Sequence, residues 1–394
     1  MDCGKYDDPK QMSDTFWFEQ GPIRPPSEAG SLLLRFTRNC PWNKCTFCPV
    51  YKGQKFSRRS LGEIRRDIDT VHKIIEKLHL ISHSMGEGGR LTRPVLNAVL
   101  TSNRYGNIFR HVAVWYFSGK GTVFIQDANS LMLPSEELVQ ALVYLKAQVP
   151  GVRRITSYAR SSTIARKNLD ELQEIREAGL DRIHIGLESG SDRVLQFVKK
   201  GTTAAQHIEA GRKVIQAGMT LSEYIMPGLG GRELSRDHAL ETARVLNAID
   251  PHFIRLRSLR IPPRTPLYQD KVAGRFTPLP DDDTVREIRL LIESLEGIQS
   301  KLTSDHIMNL LGDVQGTFPQ DKGSMLSVID RYLDLPYEDR LLYRLGRRGG
   351  ALQSVDDLWD PSLRARLEKA RRDLEAESGA DLEQIITELG DQYI

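Results

Sequence analysis

Leu32-Leu33-Leu34-Arg35-Phe36-Thr37-Arg38-Asn39-Cys40-Pro41-Trp42-Asn43-Lys44-Cys45-Thr46-Phe47-Cys48-Pro49 is the stretch whose reading decides the fold. Leu32 to Thr37 reads as a short, largely buried strand that runs directly into a loop. That loop holds three of the chain's four cysteines, Cys40, Cys45 and Cys48, within nine residues. Thiolates this close on one loop suit a soft metal or an iron–sulfur cluster. Three ligands would leave one corner of a [4Fe–4S] cube without a protein donor, and an open iron is a place for a small molecule to bind and react. Zinc would need a fourth ligand, and Cys3, His72, His79 and His83 are all distant in sequence. Buried cysteines with no metal are the blandest alternative.

Working outward, Ser60-Leu61-Gly62-Glu63 resembles a helix start, with Ile64, Ile68, Val71, Ile74, Ile75 and Leu78 following at helical spacing. Residues 80–115 are basic and polar, with an apolar piece at Val95–Leu100, and read as an insertion of helical segments. From Gly121 the pattern becomes regular. Strands are expected at Thr122–Ile125, Arg154–Tyr158, Asp181–Leu187, Thr220–Met226 and His252–Arg260. Helices are expected near 135–148, 169–178, 192–199, 204–217 and 235–248, with Gly179 and Gly218 as stops.

Strands alternating with helices imply a parallel sheet with right-handed crossovers. Six such units predict an α/β fold, a partial (β/α)6 TIM-like barrel. The polar and glycine-rich clusters each follow a strand: Cys40–Cys48, Gln126–Ser130, Tyr158–Ser162, Glu188–Ser191 and Pro227–Gly231. A barrel would present all of them at one end. The organisation expected is a lead-in over 1–30, a core over 31–270 and a mostly helical C-terminal extension over 271–394. The extension includes a long amphipathic helix over Val285–Leu302.

The chain has 394 residues, 40% hydrophobic and 27% charged, ordinary values for a globular protein with a large core. A net charge of +3 gives no global argument for nucleic acid or an anionic membrane as partner. Four cysteines make no disulfide scaffold, and a reducing compartment suits them better. Met1–Ser31 carries Asp2, Asp7, Asp8, Asp14 and Glu19 and no continuous apolar stretch, so neither a signal nor a transit peptide is expected. No run reaches the roughly 18–20 apolar residues of a membrane span. A cytoplasmic protein is expected.

Taken together, these residues resemble radical S-adenosylmethionine (radical SAM) enzymes. The cysteine loop after a first strand, with Phe47 before the third cysteine, carries the likeness. Phe124–Pro134, Gly179-Leu180-Asp181-Arg182-Ile183, Gly186-Leu187-Glu188-Ser189-Gly190-Ser191, Lys200-Gly201-Thr202-Thr203, Tyr224–Gly231 and Arg264-Thr265-Pro266-Leu267-Tyr268 extend it in order over roughly residues 30–270. They are similar to the branch that includes oxygen-independent coproporphyrinogen oxidases and methylthiotransferases. One departure is the spacing: most members have C-x3-C-x2-C, whereas four residues separate Cys40 from Cys45.

The resemblance implies a [4Fe–4S] cluster on Cys40, Cys45 and Cys48, with S-adenosylmethionine (SAM) chelating the open iron. Reductive cleavage would then give a 5′-deoxyadenosyl radical that abstracts hydrogen from a substrate. It further implies an external electron donor such as ferredoxin or flavodoxin. Gln126-Asp127-Ala128-Asn129 stands where the family carries a Gly-Gly-Glu-type motif for the methionine ammonium, so Asp127 and Asn129 are candidate acceptors, an Asx turn being the structural alternative.

Arg160 suits the methionyl carboxylate through a charge-assisted fork, and Ser161 a hydroxyl. Glu188 is expected to line the cofactor pocket or to bridge to an arginine, and Gly228 to allow close approach of the adenine or make a plain strand–helix turn. Phe47 completes the cofactor-binding candidates. Period-two alternation puts Arg255 and Arg257 on one face; aimed into a barrel mouth they would favour an anionic small-molecule substrate. Asp305, His306 and His184 are candidate proton-transfer groups, although a lone histidine is more often structural. Two alternatives stand beside the radical enzyme: a non-catalytic iron–sulfur or zinc module, and a tRNA-modifying enzyme, which the near-neutral charge disfavours. The substrate and the role of Cys3 are not legible.

Overall fold

The computed structural model describes residues 16–307, 309–378 and 382–391; Cys3 lies outside them. The chain forms two compact units. One comprises Met1–Pro41, Gly53–His184 and Gln216–Met219, the other Trp42–Lys52, Ile185–Ile215 and Thr220–Ile394.

In the first unit, strand β1 (Leu32–Arg35) is followed by a two-residue strand β2 (Thr37–Arg38), which pairs antiparallel with β3 (Ser57–Arg58). Strand β4 (Thr122–Gln126) lies parallel to β1, with Leu32 opposite Val123 and Arg35 opposite Gln126. Strand β5 (Arg154–Ala159) lies parallel to β4, with Thr122 opposite Arg154. The connection from β3 to β4 runs through the expected helix, Leu61–Ser84. Ser60 and Glu63 cap it reciprocally, so two of the backbone N–H groups at its start find partners. Ile64, Ile68, Val71, Ile74, Ile75 and Leu78 are all buried, each contributing about 1.5–3 kcal/mol. The 80–115 segment resolves into two further helices, Arg93–Thr101 and Asn107–Ser118, both packed on Leu61–Ser84.

Strand β6 (Leu180–Glu188) begins in the first unit and ends in the second. In the second unit, β7 (Thr220–Ile225) and β8 (Phe253–Leu256) are parallel, with Ser222 opposite Phe253 and Ile225 opposite Leu256. Two expectations are corrected here. Strand His252–Arg260 is only Phe253–Leu256, so Arg257 lies beyond it. The long helix predicted over Val285–Leu302 spans Asp281–Glu293; the chain turns at Gly297 (φ +68°), and Lys301–Thr303 becomes β9, parallel to β8. A short β10 (Gly316–Thr317) pairs antiparallel with β9.

Helices Gly231–Ile249, Asp281–Glu293 and Lys322–Leu333 pack in series. Tyr337–Arg348, Pro361–Ser378 and Leu382–Asp391 follow, with Leu341, Leu345, Leu382 and Ile386 in a separate apolar cluster. Parallel strands joined through helices make the chain α/β, as expected, with a mostly helical C-terminal part. Among the described residues, no helix is long and apolar enough to cross a membrane.

Candidate functional site

In the first unit, the β2–β3 ladder pins residues 37–38 to 57–58 and so closes the base of the cysteine loop. Asn39 opens that loop in the left-handed region (φ +67°), and its side-chain amide donates to Lys55 O at 2.7 Å. Asp127, at the end of β4, is fully buried. Its Oδ2 accepts from Arg35 Nε (2.9 Å), Arg35 Nη2 (2.5 Å) and the backbone N–H of Asn39 (2.8 Å). Its Oδ1 has no hydrogen-bond partner and faces Gly21, where a Cβ would fall 1.8 Å away. Burial pushes the Asp127 carboxyl above the ordinary range, opposed by the Asn39 amide and Arg35. Arg35 also donates to Glu19 (2.7 Å), which in turn takes Arg38; Arg38 reaches on to Glu63 at the start of the first helix.

Asn129 is also buried; its amide N–H donates to Thr163 Oγ1 (2.8 Å), and its Oδ1 accepts nothing. Arg160 is the half-buried residue before the short helix Ser161–Ile164, and Ser161 is buried. His184 sits within β6, inside the strand expected over Asp181–Leu187. It is fully buried beside the rings of Phe124 and Tyr158, 3.8 Å from Glu28, which also holds Arg154 and Ser31. That is a core position, the structural reading of this histidine.

Cys40 belongs to the first unit, and Cys45 and Cys48 to the second. Cys45 is buried and Cys48 half-buried in an apolar cluster with Phe47, Val194, Val198, Met226, Leu229, Leu267 and Phe276. The loop is docked by its backbone: Thr46 N–H donates to Val198 O (2.9 Å), and Leu267 N–H to Thr46 O (3.1 Å). Trp42 Nε1 donates to Lys199 O (2.7 Å). Lys200 Nζ lies 5.9 Å above the Phe47 ring and 3.0 Å from Glu188 Oε1. Glu188 itself takes a left-handed conformation (φ +62°). Of its two expected roles, the bridge is present, to a lysine and not an arginine.

Gly228 has φ +86°, and its N–H donates to the buried carboxylate of Glu287 (2.7 Å), which also accepts from Ser235. Arg255 is buried and donates to Ser222 Oγ (3.1 Å) and Thr303 Oγ1 (3.3 Å), whereas Arg257 is exposed. The guanidinium of Arg255 is thus held by neighbouring hydroxyls. His306 is driven down to about 4 by burial, with Arg257 adding to the effect.

Sequence reasoning passed over Arg35, Gly21, Glu287 and Glu223. Only Glu223 gave a signal: an acid inside the β-rich run Thr220–Met226, where an unpaired carboxyl is costly.

A three-thiolate loop fits an iron–sulfur cluster by donor chemistry, and the apolar shell at Cys45 restricts water around the sulfurs. Among the described residues, no three His, Cys, Asp or Glu side chains are set out as a metal cage. Metal sites commonly complete their geometry on binding. The acceptors Asp127 Oδ1 and Asn129 Oδ1, buried without donors, suit a ligand bearing N–H groups.

Residues 102–244 match the family model described as the radical SAM superfamily, so the chain contains a radical SAM domain, and that family uses a [4Fe–4S] cluster and SAM. The chain is similar to a tRNA-2-methylthio-N(6)-dimethylallyladenosine synthase of Sulfurihydrogenibium sp. (strain YO3AOP1), 29% identical over 227 residues, 54% of this chain and 39% of the relative. It is also similar to a tRNA uridine(34) acetyltransferase of Methanocaldococcus jannaschii, at 22% identity over 68% of this chain and 49% of the relative. The chain thus spans half or less of the length of these relatives. A cobalamin-dependent SAM radical enzyme, OxsB, aligns with TM-score 0.43 and 15% identity over 92% of this chain and 58% of that structure.

Proposed function

We propose that the chain reductively cleaves SAM at a [4Fe–4S] cluster held by Cys40, Cys45 and Cys48, and uses the radical on an unidentified small molecule. The observation that carries this reading is the cysteine loop, closed by β2–β3 and docked through Trp42, Thr46 and Phe47, with Cys45 and Cys48 in apolar surroundings. When bound, the cluster and SAM supply an electron and a carbon-centred 5′-deoxyadenosyl radical able to abstract hydrogen.

The residues of this chain bind and orient. Arg160 and Ser161 are assigned to the methionyl carboxylate and a hydroxyl, Asn129 Oδ1 and Asp127 Oδ1 to the ammonium, and Glu188 and Gly228 to the pocket lining. Phe47 keeps water from the thiolates. The electron comes from an external donor such as ferredoxin or flavodoxin, in keeping with a reducing, cytoplasmic setting.

Anaerobic reconstitution tests this directly. The protein is expected to be brown, to bind about four irons and to release 5′-deoxyadenosine from SAM with dithionite. Cys45→Ala is expected to lose iron and turnover together. A fully loaded chain that cleaves no SAM would leave the non-catalytic iron–sulfur module as the better reading, and zinc in place of iron would leave the zinc module.

A second reading, tRNA modification, is supported by the names of the two relatives. A near-neutral charge speaks against it, and a salt-dependent gel shift with bulk tRNA would decide.

A further inference from the structure

Helix Gly231–Ile249 in the second unit carries a polar stripe for which the proposed chemistry has no use. Ser235, His238 and Thr242 follow at spacings of three and four and so share one face. His238 and Thr242 are buried, and so is Glu287 on the neighbouring helix Asp281–Glu293. Polar groups this deep are costly unless hydrogen-bonded. Their partners lie just past the ends of two strands.

Past β6, Gly190 N–H donates to Thr242 Oγ1 at 2.9 Å, and Ser189 Oγ is bonded to His238 Nδ1 at 2.8 Å. A Cβ on Gly190 would fall 2.3 Å from Glu241 O, so this turn lies flush on the helix backbone. Past β7, Met226 O can only accept, so His238 Nε2 donates to it, at 3.1 Å. Gly228 N–H donates to Glu287 Oε1 at 2.7 Å, and Glu287 Oε2 accepts from Ser235 Oγ at 2.6 Å. Glu287 Oε1 in turn stands 3.6 Å from His238 Nε2.

One imidazole thus bridges two strand-end turns, and one carboxylate holds the second turn at a buried glycine whose φ is +86°. Without that carboxylate the Gly228 N–H would be left buried and unsatisfied, and the turn would gain by moving. The first turn follows Glu188 and the second contains Gly228, the two residues assigned above to the pocket lining. Met226 N–H to Glu188 O, at 3.0 Å, couples the turns directly.

We propose that His238 and Glu287 are positioning residues, which set Glu188 and Gly228 for SAM without touching it. The inference rests on the proposed function for the ligand, and not for the hydrogen bonds that hold the turns.

Two measurements on the full chain test it. Before cluster loading, amide hydrogen exchange is read at Gly228; Glu287→Leu is expected to speed it about tenfold or more. After loading, SAM binding by equilibrium dialysis is read beside 5′-deoxyadenosine release. Glu287→Leu and His238→Leu are expected to keep their iron and bind SAM about tenfold more weakly, with a much smaller fall in kcat. Glu287→Gln keeps an oxygen for Gly228 and is expected to recover most of the affinity. Should the leucine variants not fold, Ser235→Ala, which takes one hydrogen bond from the Glu287 carboxylate, is expected to weaken SAM binding about threefold. Unchanged Gly228 exchange, unchanged SAM affinity, or a fall in kcat with affinity kept overturns the positioning role and leaves the proposed function standing. A loaded wild type that neither binds nor cleaves SAM overturns the proposed function, and the exchange measurement alone then decides whether the pair holds the turn.

Discussion

Asp127 accepts a hydrogen bond from the backbone N–H of Asn39 at 2.8 Å, one residue before Cys40. The same oxygen takes two N–H groups of Arg35, so the acid at the end of β4 is turned toward the start of the cysteine loop. Only its second oxygen has acceptor capacity to spare. Asp127→Ala would leave the Arg35 guanidinium short of a partner in a buried place and Asn39 N–H unsatisfied. A loss of about 3–5 kcal/mol is expected from breaking such a pair. Urea denaturation should show it, and iron retained after reconstitution should fall severalfold. A wild-type midpoint with full iron would mean that the loop holds its path without Asp127.

Gly201 bears on the loop from the second unit. It has φ +69°, and a Cβ there would lie 2.2 Å from the Trp42 ring, which is already fixed by its bond to Lys199 O. Gly201→Ala combines backbone strain with a clash and is expected to cost about 2–3 kcal/mol. The clash part should vanish in a Trp42→Ala background, so a double-mutant cycle by thermal melting should give a clearly non-additive result. Additive costs would mean that backbone strain alone makes glycine necessary.

The strands β1 and β4 to β8 and the helices between them were legible because each obeys a strong rule. Period-3.6 apolar spacing and the Ser60–Glu63 cap mark Leu61–Ser84, and short β-rich runs bounded by glycine or polar clusters mark the strands. What was lost lacked periodicity. Strand β9 is three residues long, too short for a pattern, and its Leu302 continued the apolar spacing of the preceding helix. Arg255 and Arg257 looked equivalent because alternation presumes a strand that in fact ends at Leu256. The cysteines stood out because clustered thiols are rare. Among the groups that steady the loop, Asp127 lies 92 residues from Arg35 along the chain, and Gln126, which holds Gly21, lies 105 residues from it; only tertiary contact relates them. Glu287, which takes the Gly228 N–H, was hidden in the same way, on a helix 59 residues away.

Acid should loosen the base of the loop through Glu63. Its carboxyl is lowered to about 2, first by the hydrogen bond from Arg38 and then by the backbone of Ser60. A depressed folded-state pKa means that the unfolded chain binds the proton first. The stabilisation is therefore present above the ordinary carboxylate range near 4.5 and is lost as pH falls toward 2. Because Glu63 is partly exposed, the contribution expected is only about 1 kcal/mol. Urea midpoints at pH 5 and pH 3 should differ less in Glu63→Gln than in the wild type. An equal drop in both would assign the acid sensitivity to other carboxylates.

His306 should act in the same direction at higher pH. Its imidazole is lowered to about 4, chiefly by burial and then by Arg257, with Asp305 opposing. Between its ordinary 6.5 and about 4, the unfolded chain takes up a proton that the folded chain refuses, so this contribution to stability is complete above pH 6.5 and drains away as pH falls through that window. The effect expected is about 1–3 kcal/mol. His306→Gln should flatten the stability profile there, and in a histidine-detected NMR titration the His306 ring should remain neutral at a pH where exposed histidines are half protonated. At neutral pH its ring is then uncharged, with one N–H donor and one acceptor nitrogen. A titration midpoint near 6.5 would remove His306 from the groups whose protonation is set by the fold.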